Sequence, residues 1–272
     1  MTSSAELAEL AAPFDAVAER YDDSFTSSHI GQAQRALVWK ELEKAFPPGA
    51  HVLEIGCGTG VDACFLAECG IHVVACDSSR KMIKRAERRV SRLQGNARGS
   101  VDLRWLSAES ISVLSTEDRF DGAFSNFGAL NCVQNLEHLA RDLAILLKPG
   151  STALFVLMGP CCVWEVGWYL AHGNPKKAFR RFHRDGVAAR LDERASLQVW
   201  YPSVRSLAHV FAPEFRLRLV KGVGVSVPPS YLEPWARRFP RLVRLGFRID
   251  SVLGFFPGVR TLGDHMLLKL VR

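Results

Sequence analysis

Apolar positions follow two periods along the chain. Short apolar-rich runs at Val52–Ile55, Ile71–Cys76, Val101–Leu106, Phe120–Phe124 and Ser151–Met158 suit strands covered on both faces. Between them apolar residues recur at helical spacing, giving helices at 60–69, 78–94 and 135–147. Gly70 and Lys148-Pro149-Gly150 punctuate two of these helices. Upstream, Phe14, Val17, Ala18 and Tyr21 stand at i, i+3, i+4 and i+7, one face of a helix. Residues 5–25 therefore predict one or two short helices broken at Pro13, and 30–46 another, ended by Pro47-Pro48-Gly49. Past Gly159 the pattern gives a strand at 197–201, a helix at 203–211 and a sixth strand at 215–227. A helical stretch over 231–256, interrupted by Pro234 and Pro240, and a last strand at 264–271 follow. Strand–helix alternation predicts an α/β fold, a mostly parallel sheet with helices on both faces.

The chain is organised around Val52-Leu53-Glu54-Ile55-Gly56-Cys57-Gly58-Thr59-Gly60. A buried strand runs into a turn with three alternate glycines, and a helix follows. Glycines let backbone approach a ligand unobstructed, and the helix points free N–H groups and its positive dipole end back at the turn. The second strand ends on Asp77, 17 residues past Gly60. A carboxylate there can accept from both hydroxyls of a ribose, so turn and acid together read as a nucleoside site.

The dinucleotide fingerprint places its third glycine one position later, whereas Val61 follows Gly60 here, and Glu54 stands two residues before the first glycine. Glu54 to Gly60 match the acid-x-Gly-x-Gly-x-Gly signature of the class I S-adenosylmethionine-dependent methyltransferases at every fixed position. The chain resembles that superfamily, and broadly its quinone-biosynthesis and natural-product members. Phe14-Asp15 with Ala18 and Tyr21-Asp22, and Leu146-Leu147-Lys148-Pro149-Gly150 before the fifth strand, are similar to recurring features of the family. The resemblance implies a Rossmann-like seven-stranded sheet, residues 1–48 as an N-terminal helical lid, and 49–272 as the methyltransferase domain with a cap inserted at about 159–200. The last strand would close the sheet antiparallel at its edge.

It also implies S-adenosyl-L-methionine as cofactor. Gly56, Cys57, Gly58 and Gly60 would hold its methionine part, with Glu54 near its amino group. Asp77, with Ser78, would hold the ribose, and Ala108 or Glu109 the adenine. Ser125, Asn126 and Phe127, at the exit of the fourth strand, would hold the methionine end and line the acceptor pocket. A carboxylate at 54 makes charge sense beside an ammonium and a sulfonium. Tyr21 is either a ligand contact or a packing residue. A general base is needed only if the acceptor must lose a proton. Among the eight histidines, His29, between the lid helices, is the candidate, and His51, His72, His138 and His265 read as surface or packing residues. Asn131 could also face the pocket.

The composition is that of a soluble globular chain, 48% hydrophobic and 23% charged. No apolar run is long enough to span a bilayer, and the first residues lack the pattern of a signal peptide, so a cytoplasmic protein is expected. Seven cysteines, an odd number with no C-x-x-C pair, suit a reducing compartment, and vicinal Cys161-Cys162 reads as packing. No metal site is expected. The net charge of +7 permits nucleic acid, an anionic membrane or an acidic substrate. Arg80, Lys81, Lys84, Arg85, Arg88, Arg89 and Arg92 read as a solvated helix face.

The stretch at 125–128 lacks the Asn/Asp-Pro-Pro-aromatic signature of adenine and glutamine N-methyltransferases. Aromatic residues of the cap (Trp164, Trp168, Tyr169, Phe179, Phe182) stand beside Lys176, Lys177, Arg180, Arg181 and Arg184 and suit a small apolar acceptor. Trp235, Phe239, Leu242, Leu245 and Phe247 interleave with Arg237, Arg238, Arg241, Arg244 and Arg248, which suits a lipid-like acceptor met at an anionic membrane. The alternatives are an RNA methyltransferase, suggested by charge but lacking any RNA-binding signature, an NAD-dependent oxidoreductase, disfavoured by the glycine spacing, and a binding protein without catalysis.

Overall fold

The computed structural model describes residues 4–93, 95, 97–114, 119–183, 185–190 and 196–272, with side chains from Pro13 onward. Gln94 and Arg184 lie outside the described residues. In chain order the elements are α1 (Ser4–Tyr21), α2 (His29–Ala45), β1 (His51–Ile55), α3 (Val61–Glu68), β2 (His72–Asp77), α4 (Arg80–Val90), β3 (Ser100–Trp105), β4 (Phe120–Ser125), α5 (Leu136–Leu146) and β5 (Leu147–Leu157). After them come α6 (Val163–Ala171), α7 (Pro175–Ala178), β6 (Val187–Arg190), β7 (Ser196–Val199), α8 (Val204–Phe211), β8 (Arg216–Val223), α9 (Glu233–Arg238), α10 (Pro240–Leu253) and β9 (His265–Val271).

Seven strands form one sheet in the order β3-β2-β1-β4-β5-β9-β8. β3, β2, β1, β4 and β5 run parallel, and β9 is antiparallel to both β5 and β8. The last strand therefore lies inside the sheet, not at its edge as the sequence suggested. Its apolar content explains this: Met266, Leu267, Leu268 and Leu270 are all buried, as a strand covered on both faces requires. β8 opens with exposed Arg216 and Arg218 and tolerates the edge. Because the parallel strands switch direction of winding between β1 and β4, their carboxyl ends open a crevice there, the usual ligand position of such sheets.

Two large apolar layers sandwich the sheet. One joins Leu53, Ile55, Phe155 and Leu268 to α5 and α8, and the other joins Val52, Val73, Phe124 and Leu267 to α2 and α3. α1 runs unbroken through Pro13, where one or two short helices broken at that proline were expected. A proline removes one helical hydrogen bond, and packing downstream holds the rest. Val17 and Ala18 cluster with Met82 of α4, and Phe14 and Tyr21 pack beside them. Asp22–Thr26 then form a single π turn before α2. The strand predicted at 197–201 pairs as β7 with β6 in a separate two-stranded sheet.

Candidate active site

The glycine-rich turn is held by the strand beside it. Gly56 and Cys57 N–H both donate to the Cys76 carbonyl at the tip of β2, at 2.8 and 2.9 Å. Gly58 N–H donates to Asp77 Oδ2 and Ser79 N–H to Asp77 Oδ1, each at 2.8 Å. The turn needs left-handed backbone: φ is 53° at Gly58 and 75° at Gly60, a region that side chains disfavour. A Cβ at Gly60 would stand 2.9 Å from the Ala86 side chain, whereas one at Gly58 would meet nothing within 4 Å. The backbone at Gly58 thus faces open space with no protein atom against it.

Beneath the turn lies a buried charged group. Arg35 Nη1 pairs with Asp62 Oδ1 at 2.5 Å, and Asp62 also accepts from Trp39 Nε1 at 2.6 Å and Asn126 Nδ2 at 3.0 Å. Glu54 is buried beside them, and its Oε2 has no partner among the described residues. Burial, reinforced by Asp62 and opposed by Arg35, pushes its carboxyl well above the ordinary range. Ser125 Oγ and Asn126 Oδ1 are likewise buried without partners. An acid and two polar atoms left unpaired in a protein interior are costly, and here they converge on the carboxyl ends of β1 and β4.

Asp77 is desolvated at its strand tip, which raises its carboxyl to about 6 against the hydrogen bonds from Ser79 and Gly58. Ser78 accepts from Trp105 Nε1 through its carbonyl at 2.8 Å. Ala108 packs on the core layer that contains α5, and Glu109 lines a cavity of about 580 Å³ with Cys132, Gln134, Asn135, Glu137 and Trp200. Burial pushes the Cys57 thiol well above its ordinary value, with Asp77 and Glu54 adding to it, and the thiol donates to the Gly58 carbonyl at 3.8 Å.

From the N-terminal side Tyr21 reaches the same region. Burial raises its hydroxyl and Arg35 lowers it, with Asp62 and Asp77 adding to the rise. Asp22, next in the chain, accepts from Thr59 Oγ1 at 2.7 Å, Arg89 Nη2 at 2.7 Å and Arg85 Nη2 at 3.2 Å. His29 is turned elsewhere. Its Nδ1 lies 3.1 Å from Glu233 Oε1 and its ring is half-exposed, at the joint of α2 and α9. Asn131 is a staple, donating to the Met158 and Trp200 carbonyls and accepting from Met158 N–H.

The family description "Methyltransferase domain" matches residues 52–150. A demethylmenaquinone methyltransferase of Clavibacter sepedonicus is 30% identical over 142 residues, covering 52% of this chain and 55% of its own. A tRNA 5-carboxymethoxyuridine methyltransferase of Escherichia coli K12 is 24% identical over 226 residues and covers 80% of both chains. A Listeria monocytogenes protein, described in its crystal structure as an S-adenosylmethionine-dependent methyltransferase, shares the fold with a TM-score of 0.60. It is 18% identical and covers 87% of this chain and 97% of its own. Residues 52–150 of this chain match a methyltransferase domain, and the sheet has the fold seen in S-adenosylmethionine-dependent methyltransferases. The chain spans about half the length of the quinone-type relative it matches.

S-adenosylmethionine is named for the Listeria protein that shares the fold, and the residues gathered at this site fit that cofactor on their own geometry. The open face of Gly58, the unpartnered Oε2 of the Glu54 acid and the strand-tip Asp77 offer a cradle, an acceptor for an ammonium group and acceptors for a diol.

Two residues of the domain have surroundings that the sequence did not reveal, Phe127 and His265. Phe127 was expected at the site, but its neighbours were not. It is the only non-glycine with positive φ among the described residues, at 49°, and touches the Phe25 ring at 5.0 Å, the Arg35 guanidinium at 4.9 Å and the His265 ring at 5.5 Å. Backbone outliers of this kind gather at functional sites. His265 begins β9 beside the carboxyl end of β5, since Met266 pairs with Leu157. Its Nδ1 lies 3.4 Å from Asp264 Oδ2. Asp264 Oδ1 accepts from buried Arg181 at 2.9 Å, and Arg181 from the insertion pairs with buried Glu165 at 2.8 Å. Burial lowers His265, with Asp264 opposing and Arg181 adding, which keeps the imidazole neutral. In sequence, a histidine opening a strand carries no sign of a partner 84 residues away; only adjacency to Asp264 hinted at one.

Proposed function

We propose that the chain transfers a methyl group from S-adenosylmethionine to a small, apolar or lipid-like acceptor. The reading rests most on the buried acid Glu54 of β1, whose Oε2 meets no partner among the described residues. The cofactor supplies an activated methyl on a sulfonium. The protein aligns donor and acceptor and keeps water away. Gly56 to Gly60, Glu54 and Asn126 hold the methionine end, Asp77 the ribose and Glu109 the adenine edge. α1 and the turn after it act as a lid, and the segment 159–200 as a cap.

The acceptor wall supports the apolar part of the reading. Phe25 and Phe127 pack edge to face, the Tyr21 ring stands 6.2 Å from that of Phe25, and His265 closes the far side. His265 replaces His29 as the candidate proton acceptor, since it touches the wall and is backed by Asp264. The quinone-type relative favours an apolar acceptor. The tRNA-acting relative covers more of both chains, but the exposed arginines here alternate with exposed leucine and phenylalanine, a surface suited to lipid more than to RNA.

Calorimetric titration with S-adenosylhomocysteine, with NADH as control, tests the reading. Micromolar binding of the first and none of the second is expected. Binding of NADH alone would return the chain to the oxidoreductases. His265→Ala should leave this binding intact and lower methyl transfer by about a hundredfold, the low end for loss of a general base.

A further inference from the structure

α10 has one buried face and one unpartnered face. Val243, Gly246 and Asp250 are buried. At 3.6 residues per turn the opposite face divides lengthwise. Arg241, Arg244 and Arg248 form one flank, and Leu242, Leu245 and Val252 the other, all exposed. Phe255 and Phe256 continue the apolar flank beyond the helix end, also exposed. Arg238, at the end of α9, adds to the cationic side. None of these four arginines meets an acid among the described residues, unlike Arg237, which pairs with Glu233 at 3.2 Å. Two residues expected on this surface turn inward: Trp235 and Phe247 pack on the small core formed by Ile30, Val227 and Val243.

The helix is also fixed in position. The buried Asp250 carboxylate accepts from Val225, Ser226 and Val227 N–H at 3.1, 2.6 and 3.2 Å. That loop follows β8, whose carboxyl end lies on the same sheet edge as that of β5, because both are antiparallel to β9. Trp164 of the insertion donates to the Val225 carbonyl at 2.9 Å. α10 and the insertion therefore meet at one loop on the site's edge, so a surface seated on α10 lies beside the acceptor wall.

We propose that α10, with Phe255 and Phe256, seats this protein on an anionic bilayer, from which the acceptor is drawn. The proposal rests on the lipid-like acceptor reading. Its occupant follows from charge complementarity. Four unpaired guanidinium groups match anionic headgroups, while the leucine and phenylalanine flank enters the acyl boundary, the arrangement of an interfacial helix. A polyanion such as RNA would satisfy the arginines and leave the apolar flank in water.

The test is cosedimentation of the full chain with phosphatidylglycerol-rich and with pure phosphatidylcholine vesicles, and with a bulk tRNA competitor. The wild type should partition onto the anionic vesicles, weaken as salt rises, and ignore phosphatidylcholine. Arg241→Glu/Arg244→Glu/Arg248→Glu should lose on the order of a hundredfold or more, since each cation near such a surface is worth about a fivefold change. Leu245→Ser/Phe256→Ser should weaken binding at every salt concentration. Both variants should retain the wild-type melting temperature and S-adenosylhomocysteine titration, because these side chains are exposed. Equal partition of wild type and arginine variant, or displacement from vesicles by tRNA with the serine variant unaffected, would overturn the proposal. Failure of the wild type to bind S-adenosylhomocysteine would instead strike the methyltransferase reading.

Discussion

Both oxygens of Asp77 already accept a backbone N–H, from Gly58 and Ser79, so the residue shapes the turn while offering its remaining lone pairs to a ligand. Its carboxyl stands at about 6, above the ordinary 3.8. The sign follows: the folded chain prefers the protonated form, so this residue's contribution to the stability of the ligand-free fold is fully present below 3.8 and lost as pH rises through about 6. Ribose hydroxyls need the carboxylate as acceptor, so ligand binding pulls the other way. Affinity for S-adenosylhomocysteine should be flat above about pH 6 and fall about tenfold per unit below it, as one-proton linkage requires. Asp77→Asn should bind about 1–3 kcal/mol more weakly and lose this pH dependence. A pH dependence that persisted in the variant would assign the titration to another group. The glycines and this acid were legible because they are local to one strand–turn–strand unit. His265 was not, because its meaning comes from Asp264, Arg181 and Glu165 meeting across the insertion.

α4 shows the same limit at the scale of an element. Its arginines read as a solvated face, yet Arg85 and Arg89, one helical turn apart, reach Asp22, and Arg89 Nε also donates to the Thr59 carbonyl at 2.9 Å. A second clasp lies a turn earlier, where Asp15 accepts from Ser79 Oγ at 2.5 Å and Lys81 N–H at 3.1 Å. Two acids of the N-terminal helical segment thus fasten it over the glycine turn, with Val17, Ala18 and Met82 packed between them. Burial alone would raise Asp22, but Thr59 and Arg89 carry its carboxyl below the ordinary value. That stabilisation is present at neutral pH and is lost as pH falls below the ordinary carboxylate range. Arg89→Met removes two bonds, so amide exchange over residues 14–26 should speed up by about tenfold, near 1–2 kcal/mol, while the central strands keep their protection. Hydrogen-exchange mass spectrometry reads this directly, and unchanged exchange at 14–26 would mean that packing alone holds the segment. The apolar face of this helix was visible in its spacing. Its ionic partners were not, because they lie more than sixty residues away in sequence.

For the molecule as a whole, the strand composition predicted a parallel sheet and the resemblance a seven-stranded one with an antiparallel last strand. The place of that strand could not be read, since pairing order is set by which neighbours cover its faces. β9 separates the large apolar layers from each other, with Leu268 in one and Leu267 in the other. It carries His265 at one end and, through its pairing with β5, fixes the height of that histidine against the carboxyl edge. The strand is therefore both the keystone between β5 and β8 and the support of the contact between His265 and Phe127. Leu268 is 1% exposed, and Leu268→Ala should cost about 2–5 kcal/mol, the range for a leucine truncated in a core that cannot collapse around the gap. Leu217→Ala, half-buried on the edge strand β8, should cost clearly less. Denaturant titration of both variants compares interior with edge: an interior β9 requires the larger loss at 268, and equal small losses would place β9 where the sequence first suggested. The same titration with S-adenosylhomocysteine present extends the comparison, because ligand bound at the β1–β4 crevice adds stability by mass action. That increment should survive Leu268→Ala, whose side chain lies in the layer against α5 and α8, well inside the sheet from the glycine turn.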